Sequence, residues 1–303
     1  MFIEPQQIIN SRFGIGLVST LGRVLPPRLG YGIARFAAGR IAARRDWKMV
    51  QAVRANQWVA CGGKLEKEAL DMIVRETFHT IARSTFDLYH YIHDQDALHR
   101  LIVIDPVMRQ FIRRPAHAER GLMLVGLHLS NFDLIFQACC LQGLSALVLT
   151  IPELPGGYRL QYEMRRRSGM NLVPTSVGAL RQAVEHLRAG GLVMTGIDRP
   201  IPKPRYRPLF FGQPASLPIH HVYLALKARV PVVLIATLLQ PDGKYHILTS
   251  DPIEMLPHPD QHKRLLMNAE SVLRVAEDFI RLAPQQWSMT LPVWPEVLDQ
   301  VAN

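Results

Sequence analysis

The chain is poor in cysteine. Cys61, Cys139 and Cys140 are the only three in 303 residues. None is spaced for a metal site or a disulfide framework, which excludes a stapled scaffold and fits a reducing compartment. Long apolar runs are missing too. No stretch of 18 apolar residues occurs, so no spanning helix is expected. The opening MFIEPQQIINSR lacks the basic, apolar and small-residue succession of a secretory signal, and none is expected there. A strict G-x-S-x-G elbow is absent; Pro174-Thr-Ser-Val-Gly178 lacks the first glycine, so no serine nucleophile is expected. Gly14-Ile-Gly16 lacks the third glycine of a dinucleotide loop and follows no strand. His79, His90, His93 and His99 have no helix-face spacing backed by carboxylates, so no metal is expected.

What is present is charge of one sign and a strong alternation of elements. The net charge is +10 and the pI about 9.8, with 35 basic residues, of which 28 are arginine by count and 7 lysine. Arginine is the better fork for phosphate, so the bias favours phosphate-bearing partners: nucleic acid or an anionic membrane surface. Residues 1–48 hold eight basic residues against two acids, +6 of the total. Phe13, Ile15, Leu17, Val18 and Leu21 suit an apolar stripe, Pro26-Pro27 breaks it, and a second helix over 29–43 carries Ile33, Phe36, Ala37 and Ile41 between Arg35, Arg40, Arg44 and Arg45. Such helices suit a membrane interface. Residues 47–100 read as helical, with a break at Gly62-Gly63.

From about residue 100 the pattern is α/β. Strands are expected over 101–104, 122–127, 145–151, 171–174, 192–197 and 231–238. A further strand over 245–249 pairs with the last after the Pro241-Asp242-Gly243 turn. Helices are expected over 108–117, 160–168, 177–189, 221–228 and 264–283, with a loop over 201–218. The fold class is α/β: a mostly parallel central sheet flanked by helices, with an N-terminal helical, membrane-associating extension. Residues 1–100 would pack on and anchor an α/β domain over 101–303.

One stretch, GLMLVGLHLSNFDLIFQ over 121–137, runs from buried strand to helix with a polar cluster between. Ligands bind at such strand ends in open α/β sheets. His128 followed by Asp133 suits a base and its orienting carboxylate, if the turn folds Asp133 back onto the imidazole. Asn131 suits a helix cap or a substrate contact, and backbone N–H groups at the helix start suit an oxyanion. Spacing alone is weak: His246 and Asp251 match it equally, but lie along an extended strand out of mutual reach. With no activated serine or cysteine, the expected chemistry is direct transfer. His128 would deprotonate an acceptor hydroxyl that attacks an acyl thioester, with no covalent intermediate, metal or cofactor.

Residues 119–133, ERGLMLVGLHLSNFD, resemble the signature of the bacterial lipid A late acyltransferases. These form the lauroyl/myristoyl branch of the lysophospholipid acyltransferase superfamily, which includes the phosphatidylinositol mannoside acyltransferases. The family usually has Gly at Ser130, Trp at Phe132 and often Glu at Asp133. Further matches follow in order: Asn56 in VRANQW, Arg165 to Gly169, Gly196-Ile-Asp198-Arg199, Leu209-Phe-Phe-Gly212, and Pro284-Gln-Gln-Trp287 with Gln285 replacing an acid. They span most of residues 45–295.

The resemblance implies catalysis by His128 and Asp133, with Asn131, Arg165, Asp198, Arg199, Arg205, Arg207 and Phe211 as substrate-binding candidates. Asp198 would orient His128 or an arginine. The arginines would hold phosphates of acyl-CoA, a carrier-protein arm or a lipid headgroup. The implied partners are a membrane lipid or glycolipid acceptor, an acyl-CoA or acyl-carrier protein donor and an anionic membrane surface, with no nucleic acid. The implied place is the cytoplasmic face of the bacterial inner membrane, peripheral or monotopic. The rival readings are a glycerophospholipid or lysophospholipid acyltransferase, although FPEGTR is absent, and a non-catalytic basic membrane- or nucleic-acid-binding protein.

Overall fold

The computed structural model describes residues 12–115, 118–151 and 158–301. Its N-terminal part is helical. Helices α1 (Arg12–Val24) and α2 (Pro27–Ala42) are split at Pro26-Pro27, and Pro27 takes the first helical turn, where its missing N–H is no loss. α3 (Lys48–Ala60) follows, then α4 (Lys67–Tyr91), on which the first three helices pack. Contact with α4 is close enough to require glycine: a Cβ on Gly30 would lie 2.1 Å from the Phe86 ring.

The expected apolar stripe of α1 divides. Ile15 turns inward, whereas Leu17, Val18, Leu21 and Val24 are exposed. The side chain of Phe13 lies outside the described residues. On α2, Ala38 is buried while Leu29, Ile33 and Phe36 face outward. Among the described residues, no helix is long and apolar enough to cross a membrane.

α5 (Gln95–Leu101), β1 (Ile102–Val103) and α6 (Pro106–Ile112) lead into the α/β part. The helix expected over 108–117 ends at Ile112, short of Pro115, and residues 116–117 lie outside the described residues. Next come β2 (Leu122–Gly126), α7 (Phe132–Leu141), β3 (Leu147–Thr150), α8 (Tyr158–Arg167) and β4 (Asn171–Pro174). α9 (Val177–Arg188) and β5 (Leu192–Gly196) complete that series. The loop expected over 201–218 contains a small hairpin, β6 (Leu209–Phe210) with β7 (Gln213–Pro214). α10 (His220–Ala228), β8 (Val232–Leu239), β9 (Tyr245–Thr249) and α11 (Gln261–Leu282) close the fold.

The seven-stranded sheet has the order β1-β9-β8-β2-β5-β3-β4. It is parallel except where β9 turns back antiparallel on β8, as the hairpin signal predicts. The expected mostly parallel α/β sheet flanked by helices is therefore the observed one. Strand β2 is buried throughout because both faces are covered. Met123 and Val125 meet Val193, Val232 and Leu234 on one face. Leu122 and Leu124 meet Leu134, Ile135, Met194 and Val233 on the other. Each such side chain contributes about 1.5–3 kcal/mol of burial.

One register matters most. β2 and β5 are parallel neighbours with Gly126 opposite Gly196. Residues an equal number of steps beyond the two glycines therefore emerge side by side at the carboxyl edge of the sheet, and those two steps on are His128 and Asp198.

Candidate active site

His128 leaves β2 with its ring partly exposed, 24% by side chain. Its Nδ1 lies 2.7 Å from Oδ1 of Asp198, and its backbone N–H donates to Oδ2 of the same carboxylate at 2.9 Å. The indole Nε1–H of Trp287 donates to that Oδ2, also at 2.9 Å. Asp198 is fully buried. Burial by itself would raise its pKa, but the imidazole beside it and the three hydrogen bonds outweigh that and hold it below the usual carboxylate value. An ionised Asp198 can only accept, so Nδ1 of His128 carries the proton and Nε2 is left as the lone-pair nitrogen.

The open side of the imidazole is set by glycine. A Cβ on Gly196 would come 3.5 Å from Cε1 of His128. Gly196 is exposed although it ends a central strand, so the ring faces an opening there. Phe132 covers another edge of the ring, T-shaped at 4.6 Å.

Asp133 does not fold back onto His128 as the spacing suggested. It sits in the first turn of α7 and receives a bidentate pair from Arg165, Nε to Oδ1 at 2.8 Å and Nη2 to Oδ2 at 2.9 Å, with Gln137 Nε2 on Oδ1 at 3.1 Å. The reason is geometric. The left-handed turn at Ser130 (φ 51°) carries Asp133 onto α7 toward α8, while Asp198 arrives from the adjacent strand in register with His128. Arg165 is thus joined to Asp133 rather than free to meet a phosphate.

The other candidates disperse. Asn131 caps α7 through Oδ1 and donates from Nδ2 to the Ser84 carbonyl at 3.0 Å, so its buried amide is engaged with the protein rather than aimed at a substrate. Arg199 is half-buried immediately after Asp198. Arg205 is exposed, its guanidinium 5.4 Å from the Tyr206 ring. Arg207 pairs with Glu296 at 2.8 Å and donates to the Pro214 carbonyl. Phe211, at φ 50°, packs among Phe210, Trp287 and Trp294 under the Arg281 guanidinium. His246 bonds Asp242 at 3.1 Å, not Asp251. Among the described residues, no group of three His, Cys, Asp or Glu side chains gathers where it could hold a metal ion.

The C-terminal Pro284-Gln-Gln-Trp287 motif belongs to this site, although sequence reasoning left it out of the candidate set. Gln286 bridges both polar groups of the Leu239 backbone at the end of β8. Its carbonyl accepts from Ser130 N–H at 2.8 Å, and Ser288 N–H donates to the His128 carbonyl at 2.8 Å. The segment therefore clamps the 128–130 turn from below while Trp287 holds Asp198. Asn56 does similar work from α3: it donates to the carbonyls of Met289 and Leu291 and accepts from Val293 N–H. Its place in an ordered series of motifs was the available signal.

The sequence profile of the bacterial lipid A biosynthesis acyltransferases matches residues 5–296, nearly the whole chain. No curated protein sequence matches it.

Proposed function

We propose that this chain, which belongs to the bacterial lipid A biosynthesis acyltransferase family, transfers a fatty acyl group from a thioester to a hydroxyl of a membrane lipid or glycolipid by general-base catalysis at His128. The family membership makes acyl transfer to a lipid its general activity.

Nε2 of His128 takes the proton of the acceptor hydroxyl as its oxygen attacks the thioester carbonyl. Asp198 keeps the ring in the tautomer that leaves Nε2 free and stabilises the imidazolium that forms. Backbone N–H groups in the first turn of α7 face the developing oxyanion. The imidazolium then returns its proton to the departing thiolate. No covalent acyl-enzyme is needed: Cys139 and Cys140 have thiols that burial pushes up, Cys140 to about 11, which leaves no thiolate to attack. Asp133 acts as a positioning residue, pinning α7 to α8 through Arg165.

The observation that carries the reading is the 2.7 Å contact between a buried, ionised Asp198 and Nδ1 of a ring whose other edge is open. The exterior bears on the acceptor's place. Exposed Leu17, Val18, Leu21, Val24, Leu29, Ile33 and Phe36 lie on two basic helices and support peripheral seating on an anionic membrane surface, for which the proposed place is the cytoplasmic face of the inner membrane. Transfer from radiolabelled palmitoyl-CoA or palmitoyl-carrier protein to an extracted membrane lipid fraction is the test. His128→Ala should abolish it, and a folded His128→Ala protein with full transfer would overturn the mechanism.

A further inference from the structure

A cleft of about 530 Å³ lies between α2 and α4, lined by Arg35, Phe36, Gly39, Arg40, Arg75, Glu76 and His79. We propose that it binds the phosphate of an anionic glycerophospholipid of the membrane, held by Arg35, Arg40 and Arg75, while Phe36 enters the acyl layer beside it. The proposal rests on the membrane seating argued above and names a lipid site apart from the catalytic centre.

Charge comes first. Several arginines of this chain face acids: Arg45 and Arg54 share Asp71, Arg120 meets Glu254, Arg207 meets Glu296, and Arg281 meets Glu277 and Asp278. Arg35, Arg40 and Arg75 have no acidic partner among the described residues. The one carboxylate in the cleft, Glu76, is taken by Nδ1 of His79 at 3.2 Å. Three guanidinium groups around one cavity with a single carboxylate leave an excess of positive charge there. A phosphate offsets that excess and accepts their forked donors.

The second argument is the apolar row. Leu29, Ile33 and Phe36 are 54%, 45% and 73% exposed. They recur at helical spacing on one side of α2, opposite buried Ala38, and Arg40 continues the row one turn on. The cationic cleft therefore opens where apolar side chains stand outward, as a lipid headgroup site requires and a site for a free anion does not. Gly39 forms the floor: a Cβ there would meet only His79 Nε2, at 3.9 Å. The cleft is separate from His128. Asn131, beside the catalytic turn, contacts α4 at Ser84, eight residues beyond Glu76 and roughly 12 Å along the axis.

The test is vesicle co-sedimentation of the full chain, comparing phosphatidylcholine alone with phosphatidylcholine carrying a minority of phosphatidylglycerol. The variants are Arg75→Gln, Gly39→Leu, which fills the floor without changing charge, and Arg100→Gln, an equal charge change on α5 beyond the far end of α4. Thermal unfolding checks that each is folded. Arg75→Gln should weaken binding to the anionic vesicles about fivefold, the effect of one interfacial arginine. Gly39→Leu should weaken it comparably, and Arg100→Gln should leave it near wild type.

Equal loss in Arg100→Gln, or no loss in Gly39→Leu, would show diffuse attraction and overturn the site. Displacement by inorganic phosphate at matched ionic strength, with no preference between the two vesicles, would make it a free-anion site and overturn the lipid assignment. Tight duplex DNA binding lost in the same variants would do likewise. Acyl transfer is read in a separate assay, so anionic-vesicle binding that discriminates as expected upholds the cleft even where the catalytic reading fails.

Discussion

Replacing Asp198 by Asn separates the two carboxylates on which the site has been read. The substitution removes a charge and no volume. Oδ2 of Asp198 accepts two N–H groups, from the His128 backbone and the Trp287 indole. An asparagine there must turn its oxygen toward those donors, so its NH₂ faces Nδ1 of His128. Nδ1 then has to accept, and the ring proton moves to Nε2. The base is left with a proton where its lone pair should be. The charge-assisted bond of 2.7 Å is lost as well, a net loss of about 1.5–3 kcal/mol, and stabilisation of the imidazolium goes with it. Together these remove about 3–5 kcal/mol from the transition state, which lowers kcat between about a hundredfold and several-thousandfold. Both N–H donors keep their acceptor, the new amide donates to Nδ1, and a fully buried charge no longer has to be desolvated; these offset the lost bond in the folding balance, so the melting temperature should change little.

Asp133→Asn should behave in the opposite way. It breaks a bidentate, partly buried pair with Arg165 and should destabilise the fold by about 1–3 kcal/mol, with a smaller loss of kcat. Initial-rate kinetics on acyl transfer, paired with thermal unfolding, reads both. A folded Asp198→Asn enzyme with near-normal kcat, beside a dead and stable Asp133→Asn, would refute the assignment.

Two further outcomes follow from buried groups. Burial pushes the pKa of His220 down to about 4, and burial followed by the neighbouring His220 pushes His221 down to about 3. The folded state therefore binds fewer protons than the unfolded chain below about pH 6.5, and stability is lost as pH falls from there toward 4. At about pH 5 each histidine accounts for about 2 kcal/mol of that loss. Among the described residues neither ring nitrogen of His221 has a hydrogen-bond partner, so His221→Leu should gain about 2 kcal/mol at pH 5 relative to its effect at pH 7 in urea unfolding; an equal effect at both pH values would count against the reasoning. Ser130 holds a left-handed backbone with its hydroxyl buried and, among the described residues, without a hydrogen-bond partner. Ser130→Gly should therefore stabilise the protein by about 1–2 kcal/mol, and a lowered unfolding midpoint would contradict this.

The sequence by itself determined the layers of this protein. Continuous apolar strands of four to eight residues separated by amphipathic helices can bury themselves only in a covered, mostly parallel sheet, and the Pro-Asp-Gly turn before Tyr245 fixed the one antiparallel hairpin. It also placed His128 at a strand end, because a polar cluster between an apolar strand and a helix has nowhere else to lie. The positive φ at Ser130 had its trace as well, in a position where the family usually carries glycine.

Only the tertiary structure decided which acid holds the histidine. Spacing along the chain favoured Asp133, five residues away, and the helix geometry of α7 gave that carboxylate to Arg165. Asp198, seventy residues away, reaches His128 because β5 lies beside β2 with Gly126 opposite Gly196. Strand order and register are set by the packing of all seven strands and their helices at once, and no local pattern carries them. Trp287 belongs to the same class: its hydrogen bond to Asp198 depends on where the C-terminal segment crosses the sheet edge.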